Sequence, residues 1–368
     1  MKMRIAVIGA GNGGQAMAAY FAMNEDYEVR IFDHFDAPVQ AIREQGYIQL
    51  EGAVEGRGTI ALASTDMAEV IDRADLIMVV NPAIYHNRIA KDLAPYIEED
   101  QLIFLNPSSV FGAFAFKKAL EDAGCSKAVT IGESNSLLFA ARLVENGRVN
   151  IGGKKDSLMV SAFPACNGER LYDIIRPVMS EIEICDSVLG TSFASTNAMV
   201  HPLPTIMNVS WAESGEKFRY YLDGIGETMG SYIEALDLER VEIGKKLGLT
   251  LGKALFDFYM EYEKQYDTKG ETVSQVLKSV EAYKDIYAAN TARTRYIYED
   301  IPTGMVPFTA MGELLGMPVS KMKFVTTLCE EMLGEDLTNC EYSRNLENLG
   351  LAGMSAESII EYAKTGVK

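Results

Sequence analysis

The chain has 368 residues, 48% of them hydrophobic, and carries a formal charge of −18. That length exceeds one ordinary core and makes two domains the starting expectation, while strong acidity without any basic run excludes nucleic acid and anionic membrane surfaces as partners. The five cysteines (Cys125, Cys166, Cys185, Cys329 and Cys340) are scattered without metal-ligand spacing, and no stretch approaches the roughly 20 apolar residues of a membrane span, so a metal-free cytoplasmic protein is expected.

In chain order, the first element is an apolar β-type run, MRIAVI at residues 3–8, which enters GAGNGG at residues 9–14 and leaves through the helix formers QAMAAYFA at residues 15–22. The pattern is G-x-G-x-x-G at a strand-to-helix turn, the context in which it binds a dinucleotide. Gly9 would form the tight turn, Gly11 would let backbone approach a pyrophosphate, and Gly14 would let the helix pack on its strand. Asn12 and Gly13 complete the loop, and the helix start presents free N–H groups to the anion. The next strand, residues 27–32, ends at Asp33, 19 residues after Gly14. An acidic residue there accepts hydrogen bonds from the adenosine ribose and repels a 2′-phosphate, favouring NAD(H) over NADP(H). The competing reading is that Asp33 only opens a turn, as Asp does for local reasons.

A short helix is expected around residues 39–43. Two alternating runs follow, 47–50 and 58–62, which read as a hairpin or an edge extension of the sheet. After a helix at 67–72 comes an uninterrupted apolar strand, 75–80, broken by Asn81-Pro82-Ala83 at its carboxyl end, where ligands of open α/β sheets collect. Pro82 and His86 lie at that exit, His86 meeting cofactor or decorating a helix. Further strands are expected at 101–105, 128–131, 149–151 and 158–160, with helices at 117–123 and 171–179. From residue 191 β-type runs give way to helical periodicity. Met229, Ile233, Leu236, Ile243 and Leu247 form a stripe interrupted by Arg240, Met322, Val325, Leu328 and Met332 form another, and a helix is expected over 272–287 after a polar turn at 267–270. The fold class is therefore α/β, with a dinucleotide-binding Rossmann domain over residues 1–190 and an all-helical domain over 191–368.

Only three histidines exist, His34, His86 and His201, so an imidazole acid/base must be one of them. His201 stands in STNAMVHPLP at residues 195–204, four residues after Asn197, which puts the two on one helical face, and Pro202 and Pro204 distort the helix at that point. A polar pair at a break suits a site, and structural use of the same histidine is the alternative. In RTRYIYEDIPTG at residues 293–304 the charges read either as surface ion pairs or as a site in which Arg295 clamps a carboxylate by two parallel hydrogen bonds. Asp300 would orient the imidazole if the fold brought it to His201.

Almost end to end the chain resembles the opine dehydrogenases of the octopine/nopaline type. The resemblance lies in GAGNGGQAMA (9–18), NPAIYH (81–86), ESNSLLFAAR (133–142), NAMVHPLPTIMN (197–208), ALDLERVEIGKKLGL (235–249) and RYIYEDIPTGMVPFTAMGELLGMP (295–318). It implies that His201 and Asp300 form a catalytic dyad, that Arg295 anchors a substrate carboxylate and that Asn197 lies beside the reacting centre. It also implies an oxidoreductase that uses NADH to join an amino acid amine to a 2-keto acid such as pyruvate, giving an N-(carboxyalkyl) amino acid. The loop NPSSVFG at 106–112 departs from the family, which carries a more glycine-rich turn there. The alternatives are a ketopantoate-reductase-like reductase of 2-keto acids and a dinucleotide-binding protein without turnover. The sequence specifies neither the amino acid nor the keto acid, and it leaves monomer and homodimer open.

Overall fold

The computed structural model describes residues 2–249, 254–261 and 268–368, so Asp267 of the expected polar turn lies outside the described residues. The chain divides into two compact units, Met1–Thr191 with Glu361–Lys368, and Ser192–Ile360. The last residues join the first unit through Tyr362, whose ring stacks on Phe114 at 5.6 Å and meets Phe163 edge-on at 4.8 Å.

The first unit is built on an eight-stranded sheet. Its strands are β1 (Met3–Ile8), β2 (Tyr27–Phe32), β5 (Leu62–Ser64), β6 (Leu76–Val79), β7 (Gln101–Leu105), β8 (Val129–Ser134), β11 (Leu158–Phe163) and β12 (Ile182–Ile184), in the order β12-β11-β8-β7-β6-β1-β2-β5. From β5 to β8 all pairings are parallel, and β11 turns antiparallel to β8. The order reverses on either side of β1, which makes the ends of β1 and β6 the switch point where such sheets take ligands. β6 and β7 are buried throughout, as strands covered on both faces must be.

A smaller sheet, β4-β3-β10-β9, comprises β3 (Tyr47–Gly52), β4 (Gly56–Thr59), β9 (Phe139–Glu145) and β10 (Arg148–Lys154). The expected strand at 58–62 is thus two strands in two sheets. The chain crosses between them at Ile60 and Ala61, whose N–H groups bond to Gly46 and Val29. The helix Asn12–Ala22 packs against both β1 and the small sheet, and Gly58 approaches it so closely that an added Cβ would lie 2.3 Å from the Ala19 carbonyl oxygen. This double cover explains a helix apolar nearly all round.

The second unit is helical, with one isolated antiparallel bridge, Arg219 to Tyr287, among the described residues. Its longest helix, Glu227–Lys246, buries Ile233, Leu236 and Ile243. Arg240 does not break this stripe but is part of it. Its Nε bonds to Asp237 Oδ1 at 2.6 Å, its Nη1 reaches the Phe193 carbonyl, and Asp237 Oδ2 also accepts from the Leu255 N–H at 2.7 Å. A buried pair is tolerable when its remaining hydrogen-bonding capacity is met in this way. On the helix Ser320–Leu333 the buried stripe is Met322, Val325, Thr326 and Cys329, while Met332 is exposed. The helix expected over 272–287 covers only Val273–Ser279. Val280 adopts an extended backbone, and Ser279 Oγ bonds to the Val276 carbonyl while accepting from Lys269 N–H, the local competition that ends helices at serine.

Candidate active site

In the first unit the glycine loop closes over the ends of β1 and β6. Gly9 has φ +106°, and a Cβ there would lie 2.7 Å from Asn81 Oδ1 and 2.8 Å from the Val80 carbonyl oxygen. A Cβ on Gly14 would lie 1.8 Å from the Gly9 oxygen, so strand and helix touch backbone to backbone. At Gly11 a Cβ would meet nothing within 4 Å, and the helix that follows has neither a side-chain cap nor an acidic residue in its first turn. Open space before uncapped N–H groups fits a pyrophosphate. Gln15 braces the loop from behind, donating to the Ala10 carbonyl at 2.8 Å and accepting from Gly147 N–H at 2.8 Å. The Asn12 side chain turns outward to accept from Leu143 N–H at 2.8 Å, so this residue offers the loop its backbone.

Asp33 ends β2 beside the loop. Its Oδ2 accepts from Ala10 N–H at 2.6 Å and its Oδ1 from Phe35 N–H at 3.0 Å, so it both opens the turn and ties it to the glycines. Each oxygen keeps a lone pair for a ribose hydroxyl. A cavity of about 440 Å³ opens here, lined among others by Gly9, Asp33, Phe35, Asn81, Tyr85 and Arg88. Pro82 starts the turn Ala83–Tyr85, and His86 is fully buried behind it, Nε2 within 3.2 Å of the Asn81 carbonyl oxygen and the ring edge-on to Phe116. The loop after β7 places two non-glycine residues in left-handed backbone, Ser109 at φ +60° and Phe111 at φ +52°.

In the second unit His201 sits between the short helices Asn197–Val200 and Pro202–Met207, with φ −94° and ψ −49°. Pro202 supplies no N–H, so the chain bends without losing the bonds on either side, His201 N–H to Asn197 O and Thr205 N–H to His201 O. The His201 carbonyl also accepts from Thr205 Oγ1 at 2.8 Å and Tyr220 Oη at 2.6 Å. That backbone anchor aims the imidazole. Nδ1 lies 2.6 Å from Asp300 Oδ2, Nε2 lies 2.8 Å from Tyr221 Oη, and the Tyr296 ring stacks on the imidazole with centroids 4.0 Å apart. Burial pushes the Tyr220 and Tyr221 phenols well above their usual range. A carboxylate only accepts, so Nδ1–H donates to Asp300, while the Tyr221 hydroxyl pairs with Nε2.

Asp300 precedes a π-helical turn, Ile301–Met305, in which Met305 N–H reaches back five residues to the Asp300 carbonyl at 2.9 Å. Such turns recur at functional sites. Gly304 fits this turn against the histidine helix, since a Cβ there would lie 2.6 Å from that of Ala198.

The structure thus brings His201 and Asp300 together. Among the described residues it gives the side chains of Arg295 and Asn197 no hydrogen bond to either: Arg295 Nε donates to Glu299 Oε2 at 2.6 Å, and Asn197 is exposed at the far end of its helix. The contacts of Tyr221 and Tyr296 with the imidazole are absent from the sequence reading. Both tyrosines follow the histidine in sequence, by 20 and 95 residues, and no local pattern links them to it.

Residues 4–106 match the NAD-dependent glycerol-3-phosphate dehydrogenase N-terminus, and residues 184–333 match the alpha-helical domain of NAD/NADP octopine/nopaline dehydrogenase. Fold and matches define an oxidoreductase with an NAD-binding Rossmann domain followed by a helical domain of the octopine dehydrogenase type. Opine dehydrogenase of Arthrobacter sp. (strain 1C) is 35% identical over 355 residues, 96% of this chain and 97% of that protein. The chain belongs to the opine dehydrogenase family. A solved octopine dehydrogenase in complex with NADH and agmatine shares the fold with a TM-score of 0.81 at 20% identity, covering 100% of this chain and 99% of that one. A PanE/ApbA family ketopantoate reductase from Ralstonia eutropha JMP134 is more distant, with a TM-score of 0.60 at 18% identity over 90% of this chain and 98% of that one.

Among the described residues no helix is long and apolar enough to cross a membrane.

Proposed function

We propose that this protein joins the amine of an amino acid to a 2-keto acid and reduces the resulting C=N bond with NADH, giving an N-(carboxyalkyl) amino acid, NAD⁺ and water. The observation that carries the reading is the buried His201–Asp300 hydrogen bond of 2.6 Å, made across 99 residues of sequence. Bound at the glycine loop, with Asp33 on its ribose, NADH would supply the hydride for the C=N carbon.

The protein's own residues supply positioning and proton handling. Asp300 holds the imidazole with Nδ1 protonated and stabilises the imidazolium when Nε2 takes up a proton. Nε2 is then the atom that accepts a proton from the substrate ammonium and returns one to the amine product, with the Tyr221 hydroxyl beside it. A histidine suits both directions because an imidazole can both take up and return a proton near neutrality. Arg295 fixes a substrate carboxylate, its planar fork setting orientation as well as position. Asn197, one helical turn before His201, serves the same pocket.

The test is spectrophotometric. NADH oxidation should require both an amino acid and a 2-keto acid, and NADPH should serve poorly. Equal oxidation with keto acid alone would instead assign the protein to the 2-keto acid reductases, and no oxidation with any pair would assign it to the non-catalytic binders.

A further inference from the structure

The helix Ser320–Leu333 carries its charges in the order that its own dipole disfavours. A helix start favours acidic side chains and a helix end basic ones, yet this helix has no acidic residue in its first turn and no basic residue in its last. Lys321 and Lys323 stand at the start, Glu330 and Glu331 at the end. Neighbours in the same unit offset part of this: Glu239 and Glu313 lie 3.7 and 2.5 Å from the two lysines, and Glu330 accepts from the N–H groups of Leu337 and Thr338. Exposed Glu331 has no hydrogen bond or ion pair among the described residues. The same helix also leaves an apolar ridge uncovered. Phe324 is 51% exposed and Met332 52%, and half-buried Leu328 lies four residues from each, so the three form one line along the helix. Tyr232 flanks Phe324, with ring centroids 6.3 Å apart. The helix is attached to its unit through Met322, Val325, Thr326 and Cys329, so the ridge is surplus to the fold.

We infer that this ridge is the interface of a homodimer, in which the helix packs antiparallel on the same helix of a second copy about a two-fold axis at Leu328. Phe324 then faces Met332 of the second copy, and Leu328 faces its own equivalent. Lys321 faces Glu335 of the second copy, a residue just past the C-cap that Arg293 and Tyr298 already hold in place. Each lysine-bearing start lies beside the other helix's carbonyl-rich end, and each glutamate-bearing end beside the other's N–H-rich start. The charge order that is unfavourable in one helix is thereby favourable in the pair. This is the argument for a second copy as the occupant. A parallel copy would set lysine beside lysine and glutamate beside glutamate, and a partner of uniform charge would match only half of the helix, whereas a two-fold axis makes one surface complementary to itself. A single helix face of 14 residues, about 21 Å long, is a small interface, so the dimer should dissociate in the micromolar range. The inference does not depend on the reaction proposed above.

Sedimentation velocity on the full chain tests it. Between about 1 and about 100 µM the protein should pass from monomer to dimer. Phe324→Asp should stay monomeric over that range, with the circular dichroism and NADH binding of the parent. Lys321→Glu, which sets carboxylate against carboxylate twice in the dimer, should weaken association by about fivefold. A cross-link tests the axis itself. With exposed Cys166 and half-buried Cys340 changed to serine, Leu328→Cys should join copy to copy through a short bis-maleimide, and Val144→Cys, exposed on β9 of the first unit, should not. A chain that is monomeric at every concentration overturns the inference and leaves the ridge to some other protein. A dimer that survives Phe324→Asp, or one that fails to cross-link at Leu328, has its interface elsewhere and overturns it equally.

Discussion

The two functional regions are made of different material. The dinucleotide loop is almost entirely backbone: its shape is dictated by the missing side chains of Gly9, Gly11 and Gly14, and its binding groups are the N–H groups of a helix start. The histidine site is almost entirely side chain, with imidazole, carboxylate, three phenols and a threonine hydroxyl each holding the next. The first region therefore fails when a group is added, and the second when one is removed.

That contrast can be broken by mutation. The largest effect is expected from Gly14→Val, because its Cβ position lies 1.8 Å from a backbone oxygen that cannot yield. The variant should lose NADH binding altogether, and a normal NADH titration would refute the backbone account. Next, Asp237→Ala should cost the helical unit about 3–5 kcal/mol by leaving Arg240 charged and buried, read as a fall in denaturation midpoint. His201→Ala should lower kcat by about 100-fold or more, with NADH affinity within twofold of the parent. An unchanged kcat removes the imidazole from the mechanism. Asp33→Ser, in the backbone-built region, should narrow the preference for NADH over NADPH by about tenfold, since the carboxylate that repels a 2′-phosphate is gone. The smallest change is expected for Tyr221→Phe, a few-fold loss in kcat.

The same contrast explains what the sequence discloses. The glycine loop and Asp33 lie within 25 residues of one another, and local spacing suffices to read them. The alternation of apolar strands and helices likewise reveals the parallel sheet, although residues 58–62 conceal a change of sheet that no period records. His201 and Asp300 are 99 residues apart, and only resemblance pairs them before the fold is known. The Tyr221 and Tyr296 contacts are not legible at all, since aromatic residues in a helical region read equally well as core. Arg240 shows the opposite failure: a charge that interrupts an apolar stripe on paper is, in the fold, a buried and satisfied member of it.

Phe111 carries a consequence for how the loop after β7 can vary. Left-handed backbone costs a non-glycine residue roughly 1–2 kcal/mol, while full burial of a phenylalanine side chain returns about 1.5–3 kcal/mol. The ring is wholly enclosed and lies 6.0 Å from Phe114, so the two contributions nearly balance, and the bend is secured by an inward anchor where a glycine would merely permit it. Phe111→Gly would relax the backbone and release the anchor together. An exchange that looks like a repair toward the glycine-rich form would also leave a cavity, and the loss of a buried phenylalanine, about 3–5 kcal/mol, would outweigh the relief and destabilise this stretch.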